Sequence, residues 1–376
     1  MSEGSPVPYP TSPRPEVLTL SPYIPGKPAD EVKRELGLDR VVKLASNENP
    51  LGPSPRAMQA IQEMAASLHI YPDAAGLHLK TRLSQVHGIP ASQIVLGNGS
   101  DEIIMLLGQA FVMPGDEVVM GDKTFPVYKT STLLMGGKPV EVPLKDGFLD
   151  LEAMASAVTA HTKLVFLCNP NNPTGTMNRK AEVERFLRAI PPHVLVISDE
   201  AYAEYVGDED YGTLLPHLKD GKNVAVLRTF SKIYGLAGLR TGYGLMPEYA
   251  AALINRVRLS FNQNALAQRA ALAALDDREH VRESVRVVEE GKDYLYREFA
   301  AMGLKAYPTW GNFIMVDTGK DCQKVFQALL ERGVIVRPTS AWGLHTCLRI
   351  TIGTQEENDL LVEALRQVLQ ELQEEV

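Results

Sequence analysis

Short apolar runs rich in β-branched residues alternate with helical segments from about Leu51 to Asp277. The segments between the runs, such as Asp101–Val112 and Lys180–Ala189, predict helices. This alternation predicts an α/β fold, in which a mostly parallel sheet is flanked by helices on both faces. Binding sites in such sheets collect beyond the carboxyl ends of the strands. The clearest predicted strands are Ile94–Leu96, Glu117–Met120, Lys163–Leu167, Val194–Ser198 and Val224–Thr229.

The pattern changes in the last quarter of the chain. A long charged helical stretch spans Glu279–Met302, and a final helix is predicted from about Gln355 to Glu374. Thr354 and Glu357 form a capping-box pattern at the start of that last helix. We therefore predict a tail and arm over residues 1–48, a large domain over 49–284 and a smaller α+β domain over 285–376. The strands predicted in the smaller domain are Phe313–Val316, Val334–Val336 and Leu348–Ile352.

Composition narrows the class of protein. The formal net charge of the 376 residues is −8, without a basic block, which argues against a nucleic acid or an anionic membrane as partner. No apolar run approaches the roughly 20 residues of a membrane span. The three scattered cysteines and the lack of a signal-peptide pattern predict a cytoplasmic protein. The 8 histidines show no metal-ligand spacing, so we predict no metal.

A lysine follows the last strand of the large predicted sheet. Lys232 lies just beyond Val224–Thr229, between the hydroxyl residue Ser231 and the glycines that precede Arg240. Most lysines are solvated surface charges. At the end of a parallel strand, however, a lysine can form an imine with an aldehyde cofactor. The neighbouring hydroxyls and the arginine suit a phosphate beside that imine.

Two further polar motifs also follow predicted strands. Asp199 directly follows the predicted strand Val194–Ser198, with Tyr202 three positions later. Asn172 lies in an Asn-Pro-Asn-Asn-Pro-Thr-Gly segment after Lys163–Leu167. Taken alone, these are a turn aspartate, a core tyrosine and a turn. Together they suggest that Asp199 supplies a carboxylate to a pyridine nitrogen. Tyr202 and Asn172 would then donate hydrogen bonds to an oxygen on the same ring.

A glycine turn after the first predicted strand is the fourth element. Gly97-Asn98-Gly99 leads into a helix start at Ser100 and Asp101, where free N–H groups and the helix dipole favour an anion. The pattern is neither the Rossmann nor the Walker motif. By itself it is also typical of an ordinary helix cap.

These elements occur in the order and spacing of class I/II aminotransferases, which the chain resembles from about Leu20 to its last helix. The resemblance implies a fold-type I transferase that depends on pyridoxal 5′-phosphate (PLP). It implies that Lys232 binds the cofactor covalently and transfers a proton, so Lys232, Asp199 and Tyr202 are the predicted catalytic residues. Phe125 falls where the family stacks an aromatic ring on the cofactor. The full set of implied cofactor contacts is Gly99, Ser100, Asp101, Phe125, Asn172, Asp199, Tyr202, Thr229, Ser231, Lys232, Arg240 and, from a partner subunit, Tyr71.

Within that family the chain looks most like the histidinol-phosphate aminotransferases. The segments that carry this likeness include Leu44-Ala45-Ser46-Asn47-Glu48-Asn49-Pro50 and Leu348-Arg349-Ile350-Thr351-Ile352-Gly353. The likeness implies exchange of an amino group between L-histidinol phosphate and 2-oxoglutarate, in histidine biosynthesis, by a homodimer whose N-terminal arm packs on the partner. The implied substrate contacts are Asn47, Arg337, Arg349 and, from the partner subunit, Tyr23. Arginine suits these substrates because its planar fork binds a carboxylate or a phosphate bidentately.

Three alternatives remain open at this point. An aromatic-amino-acid aminotransferase shares every motif above, and a threonine-phosphate decarboxylase uses the same fold. A PLP-fold sensor fused to a DNA-binding domain is a different class. The few residues before Leu20 argue against a helix-turn-helix in that segment.

Overall fold

The computed structural model describes residues 11–20, 22 and 27–374. The helices in these residues are Pro15–Leu18, Ala29–Leu36, Pro55–Met64, Leu77–His87, Ser100–Phe111, Val127–Leu134, Leu151–Ser156, Lys180–Ala189, Leu215–Lys219, Glu248–Val257, Ala265–Ala274, Arg278–Ala301, Cys322–Glu331 and Gln355–Glu374. Short 3₁₀ turns lie at Ala65–Ser67, Ala91–Gln93, Ala203–Tyr205, Ala237–Leu239 and Ser340–Trp342.

A seven-stranded sheet forms the centre of the fold. From edge to edge its strands are Ile94–Gly97, Gly242–Leu245, Val224–Thr229, Leu195–Asp199, Thr162–Cys168, Glu117–Gly121 and Lys138–Val142. Gly242–Leu245 runs antiparallel to both of its neighbours, and the pairings among the last five strands are parallel. The prediction of a mostly parallel sheet is therefore confirmed, with one reversed strand that the sequence pattern did not reveal.

Helices cover both faces of this sheet, and alternate strand residues show why the strands are apolar throughout. Val165 and Leu167 pack into one core cluster, whereas Leu164, Phe166 and Cys168 pack into another on the opposite face. A strand buried on both faces needs a continuous apolar run rather than alternation. This requirement explains the runs from which the strands were predicted.

A four-stranded antiparallel sheet lies in the C-terminal part, in the order Arg337–Pro338, Cys347–Thr351, Phe313–Asp317 and Lys305–Ala306. A separate pair joins Val42–Lys43 to Val334–Ile335 in parallel. The predicted strand at Val334–Val336 is thus too long by one residue. The capping box is confirmed, because Thr354 N donates to Glu357 Oε2 at 2.8 Å and Glu357 N donates to Thr354 Oγ1 at 3.3 Å. The three-segment domain division stays a prediction.

Within the described residues, none of the helices combines the length and the apolar character that crossing a bilayer requires.

Candidate active site

Three neighbouring parallel strands end side by side and bring the predicted polar residues together. Cys168 and Asp199 are direct partners in the sheet, and Asp199 is in turn the partner of Leu227, two residues before the end of the next strand. The Asn-Pro segment, Asp199 and Lys232 therefore extend from the same edge. This edge is the carboxyl end at which α/β sheets bind ligands.

Lys232 is half-buried at this edge. Its Nζ donates a hydrogen bond to Ser46 O at 3.0 Å and lies 5.9 Å from the centroid of the Tyr202 ring. Burial, followed by the positive charge of Arg349, lowers the pKa of Lys232 to about 8. A lysine must be neutral to attack an aldehyde carbon, so this environment activates the amine near neutral pH.

Asp199 lies at the end of its strand with only 4% of its surface exposed. Its Oδ2 accepts a hydrogen bond from the Tyr128 hydroxyl at 2.7 Å, and its Oδ1 accepts from Ala201 N at 3.2 Å. Burial raises the pKa of Asp199 to about 6 despite these two donors. An ionised carboxylate in this place is stabilised by a cationic partner, which a protonated pyridine nitrogen supplies.

Tyr128 is a site residue that the sequence analysis missed. It is fully buried, stacks on Phe166 at 4.4 Å between ring centroids, and meets the Phe125 ring edge-on at 5.7 Å. One signal was present in the sequence, since Tyr128 follows the predicted stacking residue Phe125 by only three positions.

Two sets of hydrogen bonds hold Tyr202 and Asn172 against the predicted substrate residues. Asn47, which is 1% exposed, donates from Nδ2 to the Tyr202 hydroxyl at 2.9 Å. Asn172 Oδ1 accepts from Arg349 Nη1 at 2.6 Å, and Arg349 Nη2 donates to Ala45 O at 2.7 Å. Asn172 thus turns its carbonyl towards the arginine, and its amide group is left to donate elsewhere.

The predicted phosphate contacts gather at the first residues of the helix Ser100–Phe111. Gly99 has φ 82°, and a Cβ at this position would lie only 2.7 Å from Arg240 Nη2. Arg240 also pairs with Asp101 at 3.4 Å, in a partly exposed position. Thr229 and Ser231 are buried, and Thr229 pairs across the sheet with Gly242, which lies against the backbone of Gly99 and Ser100. Backbone N–H groups, hydroxyls and a guanidinium in one place suit a phosphate dianion.

Of the remaining predicted residues, Arg337 and Tyr71 belong to the described part of the chain and Tyr23 does not. Arg337 is the direct cross-strand partner of Arg349, so both side chains lie on one face of the four-stranded sheet. Tyr71 is 80% exposed and stacks on Phe261 at 4.7 Å. Tyr23 lies outside the described residues.

These groups fit PLP. Lys232 matches an aldehyde, Asp199 matches a pyridine nitrogen, and the turn at Gly99 with Arg240 matches a phosphate. Such a set at the carboxyl edge of this sheet defines a fold-type I, PLP-dependent transferase.

The chain belongs to the class I and II aminotransferase family. A model described as "Aminotransferase class I and II" matches residues 39–365. The chain is 50% identical over 357 residues to a histidinol-phosphate aminotransferase of Moorella thermoacetica, covering 95% of this chain and 92% of that protein. It is 45% identical over 353 residues to one of Caldicellulosiruptor saccharolyticus, covering 94% and 99%.

A solved structure supports the same family. The crystal structure of histidinol-phosphate aminotransferase from Sinorhizobium meliloti in complex with pyridoxal-5′-phosphate superposes with a TM-score of 0.88 and 31% identity. The match covers 95% of this chain and 97% of that one. Aspartate aminotransferase from Thermus thermophilus with maleate has a TM-score of 0.83 at 23% identity, which shows a shared fold.

Proposed function

We propose that this chain uses PLP to exchange an amino group between L-histidinol phosphate and 2-oxoglutarate, giving imidazole-acetol phosphate and L-glutamate in histidine biosynthesis. Relatives at 45% and 50% identity over nearly the whole chain bear the name of that activity. The structural observation that carries the proposal is the Arg349 guanidinium, held 2.6 Å from Asn172 at the cofactor edge. Arg337 adds a second cation beside it, and two guanidinium groups suit a phosphate monoester as well as a carboxylate.

The residues of the site have separate roles in transamination. Bound PLP supplies an electron sink that stabilises negative charge at the substrate Cα. Asp199 holds a proton at the pyridine nitrogen, and Tyr202 with Asn172 donates to the ring 3′ oxygen. Lys232 Nζ, in its neutral form, removes the proton from the substrate Cα. Phe125 stacks on the ring. The cofactor phosphate is held by the helix N-terminus at Gly99, Ser100 and Asp101 and by the side chains of Thr229, Ser231 and Arg240.

Spectroscopy with three amino donors tests this function. The holoenzyme receives L-histidinol phosphate, L-phenylalanine or L-glutamate, and loss of the cofactor's visible absorbance band reports the transfer of the amino group. We expect conversion at micromolar histidinol phosphate and a much weaker response to phenylalanine. A preference for phenylalanine would replace the proposal with the aromatic-amino-acid alternative. Release of carbon dioxide from added L-threonine phosphate would indicate decarboxylation, as in threonine-phosphate decarboxylase.

Replacing Arg349 with lysine is expected to raise the KM for histidinol phosphate and for glutamate about 10- to 100-fold, the cost of losing one or two charged hydrogen bonds. Lysine cannot contact Asn172, Ala45 and a substrate anion at once, because it lacks the planar fork. Steady-state kinetics with both substrates measures the effect. Arg332→Lys, the same change in a surface ion pair with Glu371, is the matched control. Equal KM values in the two variants would contradict the role of Arg349.

We also propose that the protein is a homodimer, in which Tyr23 of the partner subunit contacts the substrate and Tyr71 of the partner subunit contacts the cofactor phosphate. The support is a group of exposed apolar side chains that includes Tyr71 and Phe261, whose rings stack at 4.7 Å between centroids; exposed apolar patches mark interaction surfaces. Its members are Leu68, Ile70, Tyr71, Leu77, Leu259 and Phe261. Sedimentation equilibrium of the holoenzyme is expected to give twice the mass of the chain; a fully active monomer would contradict this expectation. Cytoplasmic location stays a prediction.

A further inference from the structure

Trp342 connects the two parts of the site. It ends the short 3₁₀ turn Ser340–Trp342, which links the strand Arg337–Pro338 to the strand Cys347–Thr351 of the four-stranded sheet. Its side chain is half-buried, and its Nε1–H donates to Thr124 O at 2.7 Å, across 218 positions of sequence. Thr124 directly precedes Phe125, the predicted stacking residue. The indole therefore joins the sheet that carries the arginines to the loop that carries the stacking ring.

The Trp342 ring also lies beside both predicted anion-binding arginines. The guanidinium carbon of Arg337 is 6.0 Å from the ring centroid, and that of Arg349 is 5.8 Å away. These arginines are direct cross-strand partners, and like charges in that arrangement are destabilising. An aromatic face offsets part of this repulsion through its attraction for cations. The ring thus stabilises a pair of positive charges that an anionic substrate would also stabilise.

A closed series of contacts fixes the positions of Trp342 and Arg349. Thr124 Oγ1 donates to Asn171 Oδ1 at 2.9 Å, and the next residue, Asn172, accepts from Arg349 Nη1 at 2.6 Å. Arg349 lies beside the Trp342 ring, which returns to Thr124 through the indole N–H. Trp342, through Thr124, and Arg349, directly, therefore hold the same Asn-Pro loop. Removal of the indole breaks two contacts of this series, the one with Thr124 and the one with Arg349.

We propose that Trp342 is a positioning residue that keeps Arg337 and Arg349 in register with the cofactor-stacking ring, and so sets the affinity for substrates that carry a phosphate monoester or a carboxylate. This proposal rests on the proposed function, because it takes the arginine pair as the anion site. It adds a residue that acts through the arginines and the loop, without a contact to the reacting atoms.

Two substitutions separate the contributions of the indole. Trp342→Phe keeps an aromatic face and removes the N–H, so the KM for histidinol phosphate is expected to rise about 2- to 10-fold, as for one neutral hydrogen bond. Trp342→Ala also removes the ring, and the KM is expected to rise about 10- to 100-fold. In both variants kcat and cofactor occupancy should change less than the KM. Tyr249→Phe, which deletes one aromatic hydrogen bond to Asn223 on the surface, is the matched control.

Fluorescence gives a readout that is independent of turnover. The chain has 2 tryptophans, so a Trp310→Phe background leaves Trp342 as the single indole. Inorganic phosphate, titrated into this holoenzyme, is expected to change the Trp342 emission over the same concentrations at which phosphate competes with substrate. Competition without a change in emission would contradict the proposal. The absence of both effects would also contradict it, because the arginine pair would then bind no phosphate.

The two proposals fail in different ways. If wild-type enzyme prefers phenylalanine to histidinol phosphate, the proposed function fails, and the KM of the preferred donor in the Trp342 variants still tests the positioning role. If histidinol phosphate is preferred and the KM of both variants equals that of Tyr249→Phe, only the positioning role fails.

Discussion

Lys232→Ala is expected to abolish transamination, with a loss in turnover on the order of 10⁴-fold or more, at the upper end of what a general base contributes. The reason is that one side chain provides both the covalent anchor for the cofactor and the base that removes the Cα proton. Turnover is measured with histidinol phosphate and 2-oxoglutarate. Near-normal activity in this variant would overturn the assignment of the site.

A control and a second readout make the Lys232 experiment specific. Lys129→Ala removes an exposed lysine that pairs with Glu141 and is expected to leave turnover unchanged. In the cofactor-free protein, the rate at which Lys232 binds added PLP should rise with pH through about 8, because the neutral amine becomes the major form there. A rate that rises only near pH 10 would mean that the amine behaves as an ordinary surface lysine.

Asp199→Asn is expected to lower turnover on the order of 10²- to 10³-fold, the size of effect found when one charge-stabilising group is removed from an active site. Asparagine carries no negative charge and therefore cannot hold a proton at the pyridine nitrogen. The same change should stabilise the cofactor-free protein at neutral pH. Turnover falls while stability rises, because the buried carboxylate is needed for catalysis but destabilises the folded protein.

The sign of the stability effect follows from the pKa of Asp199, which burial raises from 3.8 to about 6. Between these values the folded protein binds more protons than the unfolded chain, so the free energy of unfolding falls as the pH rises. The free energy of unfolding falls by roughly 3 kcal/mol in all, and Asp199→Asn removes this loss.

Denaturant unfolding of the cofactor-free proteins at pH 4.5 and pH 7.5 measures this difference. The advantage of Asp199→Asn over wild type should grow between the two pH values. Asp220→Asn, a change at an exposed helix end, should show no such growth. A variant that is destabilised equally at both pH values would indicate that the carboxylate is needed for packing and not for its charge.

Local sequence determined the helices and strands whose ends are marked by residues close to them in the chain. The helix Lys180–Ala189 and the strand Val224–Thr229 have the predicted bounds, and the helix predicted from about Gln355 to Glu374 is Gln355–Glu374. Apolar periodicity, a capping box and flanking turn formers fix such boundaries. Gly242–Leu245 was missed, because a Gly-Tyr-Gly-Leu segment has weak strand propensity. Its strand form depends on the two antiparallel neighbours between which it pairs.

The sequence by itself determined the chemical groups that follow each strand: Lys232, Asp199 and the Asn-Pro segment. These groups could be placed together because parallel strands share one carboxyl edge. Only the tertiary structure decided which side chains support them. Tyr128 donates to Asp199 across 71 positions, and Trp342 donates to Thr124 across 218. No local periodicity encodes such contacts, since they form only when separate elements pack and a buried polar group must find a partner.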